Sequence, residues 1–203
     1  MKKLKLCFGI LLFSLSLYSC NNDQVEKYKV DGINKKILFV GNSLTYTNNL
    51  PELVKQEALS RDIEIEVSML AYPNYALEDH LNDGEVQNLI EKGNYDFVVV
   101  QQGPSSQQDG IESLLEFGSV FKSLCEQNNT QLAFFMVWPS RMYYYTYPGV
   151  INNYTQAATA NEAILCPVGE VWKAHFDATD DFSYYGPDEF HPSLIGSQVA
   201  AQV

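Results

Sequence analysis

From Lys36 onward short apolar runs alternate with helical stretches, and this alternation is what most restricts the possible folds. Strands joined through helices must run parallel, and the helices then cover both faces of the sheet. Ile37–Val40, Phe97–Val100, Leu132–Trp138 and Cys166–Val168 read as strands. Phe97–Val100 is apolar throughout and short enough to be a buried central strand. Ile63, Ile65 and Val67 alternate with Glu64, Glu66 and Ser68, the pattern of a strand near the sheet edge with one wet face. Helices are predicted over Glu52–Ser60 (capped near Asn48 or Asn49, with Pro51 in the first turn), over Glu85–Lys92 stopping at Gly93, over Gly110–Gln127 and over Ile151–Leu165. Pro192–Val203 reads as the start of a closing helix that stops while still apolar, which raises the expectation of a truncated C-terminus.

With 203 residues and 46% hydrophobic content, the chain supplies one core and is too short for two ordinary domains. Residues 1–19 carry Lys2, Lys3 and Lys5 ahead of an apolar stretch from Leu6 to Leu17, the pattern of a signal peptide rather than a spanning helix. Residues 20–35 are expected to form a polar tether, leaving 36–203 as the domain. Leu17-Tyr18-Ser19-Cys20 resembles a bacterial lipoprotein box, which implies lipidation of Cys20 and attachment to a membrane on the periplasmic side or the cell surface. An ordinary secretory signal is the alternative, and either one takes the protein out of the cytoplasm. Removing the leader deletes three lysines and no acid, so the net charge moves from −12 to −15. That charge repels phosphate backbones and makes nucleic acid a poor partner. Cys125 and Cys166 remain for the fold; they lack metal-ligand spacing and read as two unpaired thiols rather than one disulfide.

The first strand runs into Gly41-Asn42-Ser43-Leu44-Thr45, and Asp188-Glu189-Phe190-His191 lies near the far end. A serine on a tight turn after a buried strand presents its hydroxyl at the sheet's carboxyl edge. As a neutral hydroxyl it is a weak nucleophile, so a base must take its proton. Of the three histidines, only His191 has a carboxylate three residues earlier on a loop, where Asp188 can fix its tautomer. Ser43, His191 and Asp188 are therefore the expected catalytic triad, with Gly186-Pro187 and Pro192 bracing the loop. His80 and His175 fall in probable helices and are read as structural. The Ser43 turn is not a phosphate loop, lacking Gly-Lys-Ser/Thr, nor a Gly-x-Ser-x-Gly elbow, since residue 45 is threonine.

In this order, the Gly-Asn-Ser-Leu turn, the polar end of the central strand and the Asp-x-x-His pair resemble the sequence blocks of the GDSL or SGNH hydrolases. The resemblance spans most of the mature chain. It implies a three-layer α/β/α, flavodoxin-like sandwich with a mainly parallel sheet, and an acyl-ester hydrolase with no metal or cofactor. Gly41-Asn42-Ser43, the Gln102-Gly103 turn and Phe190-His191-Pro192-Ser193 look most like secreted bacterial members, many of which deacylate carbohydrates.

The oxyanion donors depart from that family's pattern. The Ser43 amide is available whatever its side chain, and Asn74 stands where the second block usually has glycine; asparagine tolerates the same left-handed backbone. Gln101-Gln102-Gly103-Pro104-Ser105 lacks the third block's asparagine. A glutamine amide is the chemical replacement, in the order of preference Gln102, Gln101, Ser105. The alternative is that these glutamines serve loop backbone groups.

Trp138-Pro139-Ser140-Arg141-Met142-Tyr143-Tyr144-Tyr145 follows a strand and should reach the same sheet edge. Trp138, Tyr143, Arg141 and Gln101 are thus candidate substrate-binding residues, with aromatic faces suited to sugar rings. An aromatic loop packed on the domain, with Arg141 paired to a surface acid, is the competing reading. The expected activity is removal of small acyl groups from carbohydrates by a serine esterase. The alternatives are a lipase or thioesterase on lipid acyl chains, and an inactive glycan-binding lipoprotein.

Overall fold

The computed structural model describes residues 34–203. The expected signal peptide, Cys20 and nearly all of the expected tether lie outside the described residues. The elements in chain order are β1 Lys35–Gly41, α1 Ser43–Tyr46, α2 Leu50–Ser60, β2 Ile65–Ala71, α3 Leu77–Asp83, α4 Glu85–Gly93, β3 Phe97–Val100, α5 Gln108–Gln127, β4 Gln131–Phe135, α6 Tyr147–Ala160, β5 Ile164–Cys166, α7 Val168–Thr179 and α8 Leu194–Gln202. The strands form one parallel sheet in the order β2-β1-β3-β4-β5. This is the predicted α/β architecture, with the alternating Ile65–Ala71 strand at an edge and Phe97–Val100 at the centre.

Strand alternation sorts the core. Leu38, Val40, Val98, Val100, Leu132 and Phe134 are almost fully buried, and Phe134 packs beneath Gly118 of α5. On the opposite face Ile37, Phe39, Phe97, Val99, Ala133 and Phe135 look toward Val54 and Ala58 of α2 and Ala200 and Ala201 of α8. Helices therefore lie on both faces.

Several boundaries differ from expectation. β1 starts at Lys35, inside the expected tether, because Asp96 binds the Lys35 ammonium at 2.5 Å and the Lys36 amide at 2.9 Å; ladder pairing needs no apolar side chain there. Ile151–Leu165 is not one helix. Pro148 opens α6 early, and the chain leaves it at Asn161, where Glu162 takes a left-handed φ of 47° and Ala163 N–H closes on Ala158 O. β5 is accordingly Ile164–Cys166, ended by Pro167, and Val168 begins α7. β4 stops at Phe135 rather than Trp138. Cys125 and Cys166 are free thiols, and burial pushes them up to about 12 and about 11.

Candidate active site

In the order 2-1-3-4-5 the connection reverses direction between β1 and β3, and ligands of open α/β sheets bind outside the carboxyl ends of the strands at that point. Here those ends are Gly41 and Val100. Ser43 follows the first by two residues, and Gln101–Ser105 follow the second.

The Ser43 turn is tight for a specific reason. A Cβ on Gly41 would lie 2.4 Å from Thr45 Oγ1 and 2.5 Å from Gln101 Oε1, so no side chain fits. Asn42 caps α1, its Oδ1 accepting the Leu44 N–H at 3.1 Å, and its Nδ2 donates to Tyr75 O at 3.0 Å. One side chain thus shapes the nucleophile turn and clamps the loop that carries Asn74. Ser43 is the first residue of α1, where a helix has no internal acceptor for the N–H.

The structure brings Ser43, His191 and Asp188 together. The Ser43 hydroxyl donates to His191 Nε2 at 2.8 Å, and His191 Nδ1–H donates to Asp188 Oδ2 at 2.5 Å. Asp188 Oδ1 also accepts the N–H groups of Phe190 and His191 at 3.1 and 2.9 Å, coiling the loop around its own carboxylate. Burial acts to raise the Asp188 pKa, but the bonds from His191 and these two amides outweigh it and hold the carboxyl below its ordinary range.

Two anchors absent from the sequence reading fix this loop. Trp138 Nε1–H donates to Phe190 O at 3.0 Å, and Asn48 Nδ2 donates to Pro192 O at 3.1 Å and Ser197 Oγ at 3.0 Å. The carbonyls on either side of His191 are therefore held from two different elements. Asn48, one of the two cap candidates read from sequence, sits at φ 57° just ahead of the actual cap, Asn49.

Ser43, Asn74 and Gln102 all line one cleft of about 580 Å³, within the usual range for small-molecule sites, shared with Asn42, Ser105, Ser106 and Gln107. Asn74 has φ 64°, the left-handed backbone expected of a glycine replacement. Gln102 is partly committed: its Nε2 donates to Ser105 Oγ at 2.8 Å and its Oε1 accepts from Ser113 Oγ at 3.3 Å. One Nε2 hydrogen remains after Ser105 is served.

Three substrate-binding expectations do not hold. Gln101 is buried; its Oε1 accepts from Asn42 N–H at 3.0 Å and Thr45 Oγ1 at 2.8 Å, and its Nε2 donates to Gln102 O at 2.7 Å. Gln101 therefore braces the Ser43 turn, and its burial keeps it from a ligand. Trp138 is fully buried, stacked on Trp172 with centroids 3.6 Å apart, because the wide ring fills the core beneath the His191 loop. Arg141 is spent on Glu189 at 2.6 Å and on the Phe182 ring. Of the four, Tyr143 alone lines a groove, the second one beside the cleft. His80 is buried, as a structural histidine should be, and its Nε2–H donates to Gly41 O at 2.9 Å.

No protein-family model matches the sequence, and no curated protein matches it. Solved structures do. A protein from Slackia heliotrinireducens described as an SGNH hydrolase aligns at TM-score 0.69 and 24% identity over 83% of this chain and 95% of that one. The lipase/acylhydrolase from Enterococcus faecalis aligns at TM-score 0.64 and 17% identity over 82% and 91%. An acetyl xylan esterase aligns at TM-score 0.66 and 15% identity over 82% and 96%. The chain has the three-layer fold of the SGNH, or GDSL, hydrolases, in agreement with the block order read from its sequence.

Proposed function

We propose that this protein is a serine ester hydrolase that removes small acyl groups from carbohydrates, working outside the cytoplasm from a lipid anchor at Cys20. The observation that carries the hydrolase reading is the continuous bond chain from Ser43 Oγ through His191 to Asp188. Ser43 Oγ attacks the ester carbonyl as His191 Nε2 accepts its proton, and the negative charge passes to the carbonyl oxygen. Backbone N–H groups of Ser43 and Asn74, with the remaining Gln102 amide hydrogen, stabilise that oxyanion. His191 then returns the proton to the leaving alkoxide, and water releases the acyl group by the same steps. Asp188 holds the imidazole in the tautomer that leaves Nε2 free to accept.

The preference for a polar substrate rests on the open cleft wall, where Asn74, Gln102, Ser106 and Gln107 present polar side chains and no apolar tunnel is formed among the described residues. The fold does not choose between acyl acceptors, since neighbours named for lipase and for acetyl xylan esterase activity share it. Fluorophosphonate labelling of wild type against Ser43→Ala tests the nucleophile: labelling of wild type alone is expected, and equal labelling of both refutes it. Acetyl against long-chain nitrophenyl esters tests the acyl preference, and a strong preference for long chains overturns the carbohydrate assignment. Radiolabelled palmitate incorporated into wild type but not Cys20→Ala is the expected result for the anchor.

A further inference from the structure

The second groove, about 550 Å³, is lined by Pro104, Ser106, Gln107, Pro139, Tyr143, Tyr145, Thr146 and Phe190 among others, and it shares Pro104, Ser106, Gln107 and Phe190 with the cleft at Ser43. The two lie side by side, with Phe190, the residue before His191, on their common wall. Four tyrosines in the adjoining segment divide into two pairs. Tyr147 is fully buried, and Tyr144 packs against it and bonds Asp177 at 2.6 Å. Tyr143 and Tyr145 are 53% and 75% exposed, so their rings contribute little to the core. Large aromatic rings left exposed beside a catalytic cleft are the usual mark of a recognition surface.

The backbone that carries the exposed pair is held in place. Tyr143 N–H donates to Ser140 O at 2.9 Å, and Thr146 Oγ1 donates to Tyr143 O at 2.7 Å. Arg141 ties the segment to the catalytic loop through its backbone N–H to Glu189 O at 2.9 Å and its side chain to the Glu189 carboxylate. The rings meet edge to face, with centroids 6.3 Å apart at 71°. A surface ordered before binding loses less entropy when a ligand arrives.

Resting on the esterase reading above, we infer that this groove is a subsite for a sugar ring of the alcohol portion of the substrate, one unit away from the acylated residue, so that the natural substrate is a neutral oligo- or polysaccharide. His191 protonates the leaving alkoxide, so the alcohol lies on the His191 side of the reacting carbonyl. Phe190 adjoins His191 and continues into the groove, which places the next sugar against Tyr143 and Tyr145. A sugar's C–H face stacks on tyrosine while its hydroxyls find Ser106, Gln107 and Thr146 at the rim. A fatty chain would enter from the acyl side instead. An anionic sugar would have to compete with Glu189 for Arg141 and meet the chain's negative net charge.

The test separates binding from chemistry. Ser43→Ala protein is titrated by calorimetry with xylose, xylotetraose and cellotetraose, then compared with Ser43→Ala/Tyr143→Ala/Tyr145→Ala protein whose fold is checked by circular dichroism and melting temperature. At least one tetrasaccharide is expected to bind more tightly than xylose, and loss of two stacking rings should weaken it about tenfold or more. Tetrasaccharide affinity equal in the two proteins, or absent from the first, overturns the subsite. In enzyme carrying Ser43, the ratio of kcat/KM on acetylated xylotetraose to that on acetylated methyl xyloside should fall in Tyr143→Ala/Tyr145→Ala protein; an unchanged ratio overturns it as well. Failure of the esterase reading shows separately, as a wild type that leaves p-nitrophenyl acetate intact.

Discussion

Gln101 Oε1 accepts both the Asn42 backbone N–H and the Thr45 hydroxyl, at 3.0 and 2.8 Å, so the end of the central strand carries the hydrogen-bonding complement of the nucleophile turn. Replacing Gln101 with leucine keeps most of the volume and leaves two buried donors without an acceptor, at about 1–3 kcal/mol each. Urea denaturation of Gln101→Leu should show that loss, together with a fall in kcat as Ser43 loses its fixed position. Full stability and full activity in the variant would show that the brace is dispensable.

Gly41→Ala addresses the same turn sterically. The added methyl meets Thr45 Oγ1 and Gln101 Oε1 well inside contact distance, and both belong to the brace. A stability loss of about 1–3 kcal/mol is expected from overpacking, with nucleophile labelling by fluorophosphonate slowed at the same protein concentration.

Trp138→Phe removes the indole N–H that holds Phe190 O and narrows the stack on Trp172. About 1–3 kcal/mol of stability should go, and kcat should drop roughly tenfold to a hundredfold as His191 is less well placed. KM for a small nitrophenyl ester should change little, because Trp138 touches no ligand. A variant with a changed KM and an intact kcat would place Trp138 in binding instead.

Asp188→Asn should cost roughly 10³–10⁴ in kcat by allowing the wrong imidazole tautomer. The carboxyl's depressed pKa fixes the sign of its pH dependence. Its support of the loop is present above the ordinary value of 3.8 and is lost only as pH falls through the lower folded value. The stability difference between wild type and Asp188→Asn should hold steady between pH 7 and 5, and a difference that fades over that range would contradict the assignment.

His80 supplies the opposite case. Burial lowers its pKa below 6.5, against upward pulls from the Gly41 carbonyl and from Asp79, Asp83 and Glu85. The unfolded chain therefore takes up the proton first, and stability declines as pH drops below about 6.5 toward the folded value. Protonation would also place a second donor on Nδ1, which is buried without a partner. Urea midpoints at pH 7.5 and 5.0 should fall further in wild type than in His80→Gln. Equal falls would remove His80 from the acid response.

The parts legible in sequence were those with a local chemical signature. Period-two and continuous apolar runs located the edge and central strands, and the Asp188-x-x-His191 spacing beside Ser43 located three groups that meet in space. Long-range positioning was not legible. Strand alternation separated Gln102, which lines the cleft, from Gln101, but nothing local showed that Gln101 would bond Asn42 and Thr45 rather than a ligand. Trp138 looked like a binding residue because an aromatic near a strand end has the same sequence whether it faces solvent or, as here, Trp172. Glu162's left-handed turn carries no glycine or proline, so the α6 pattern seemed to run on into β5.

Ser43 and His191 are separated by 148 positions in the chain yet bond directly. On the esterase reading, a polypeptide growing from its amino end carries Ser43 through most of its synthesis with no His191 to take its proton. The relay forms only once the last loop has closed over the first turn, so on the esterase reading a chain terminated before His191 is silent rather than weakened.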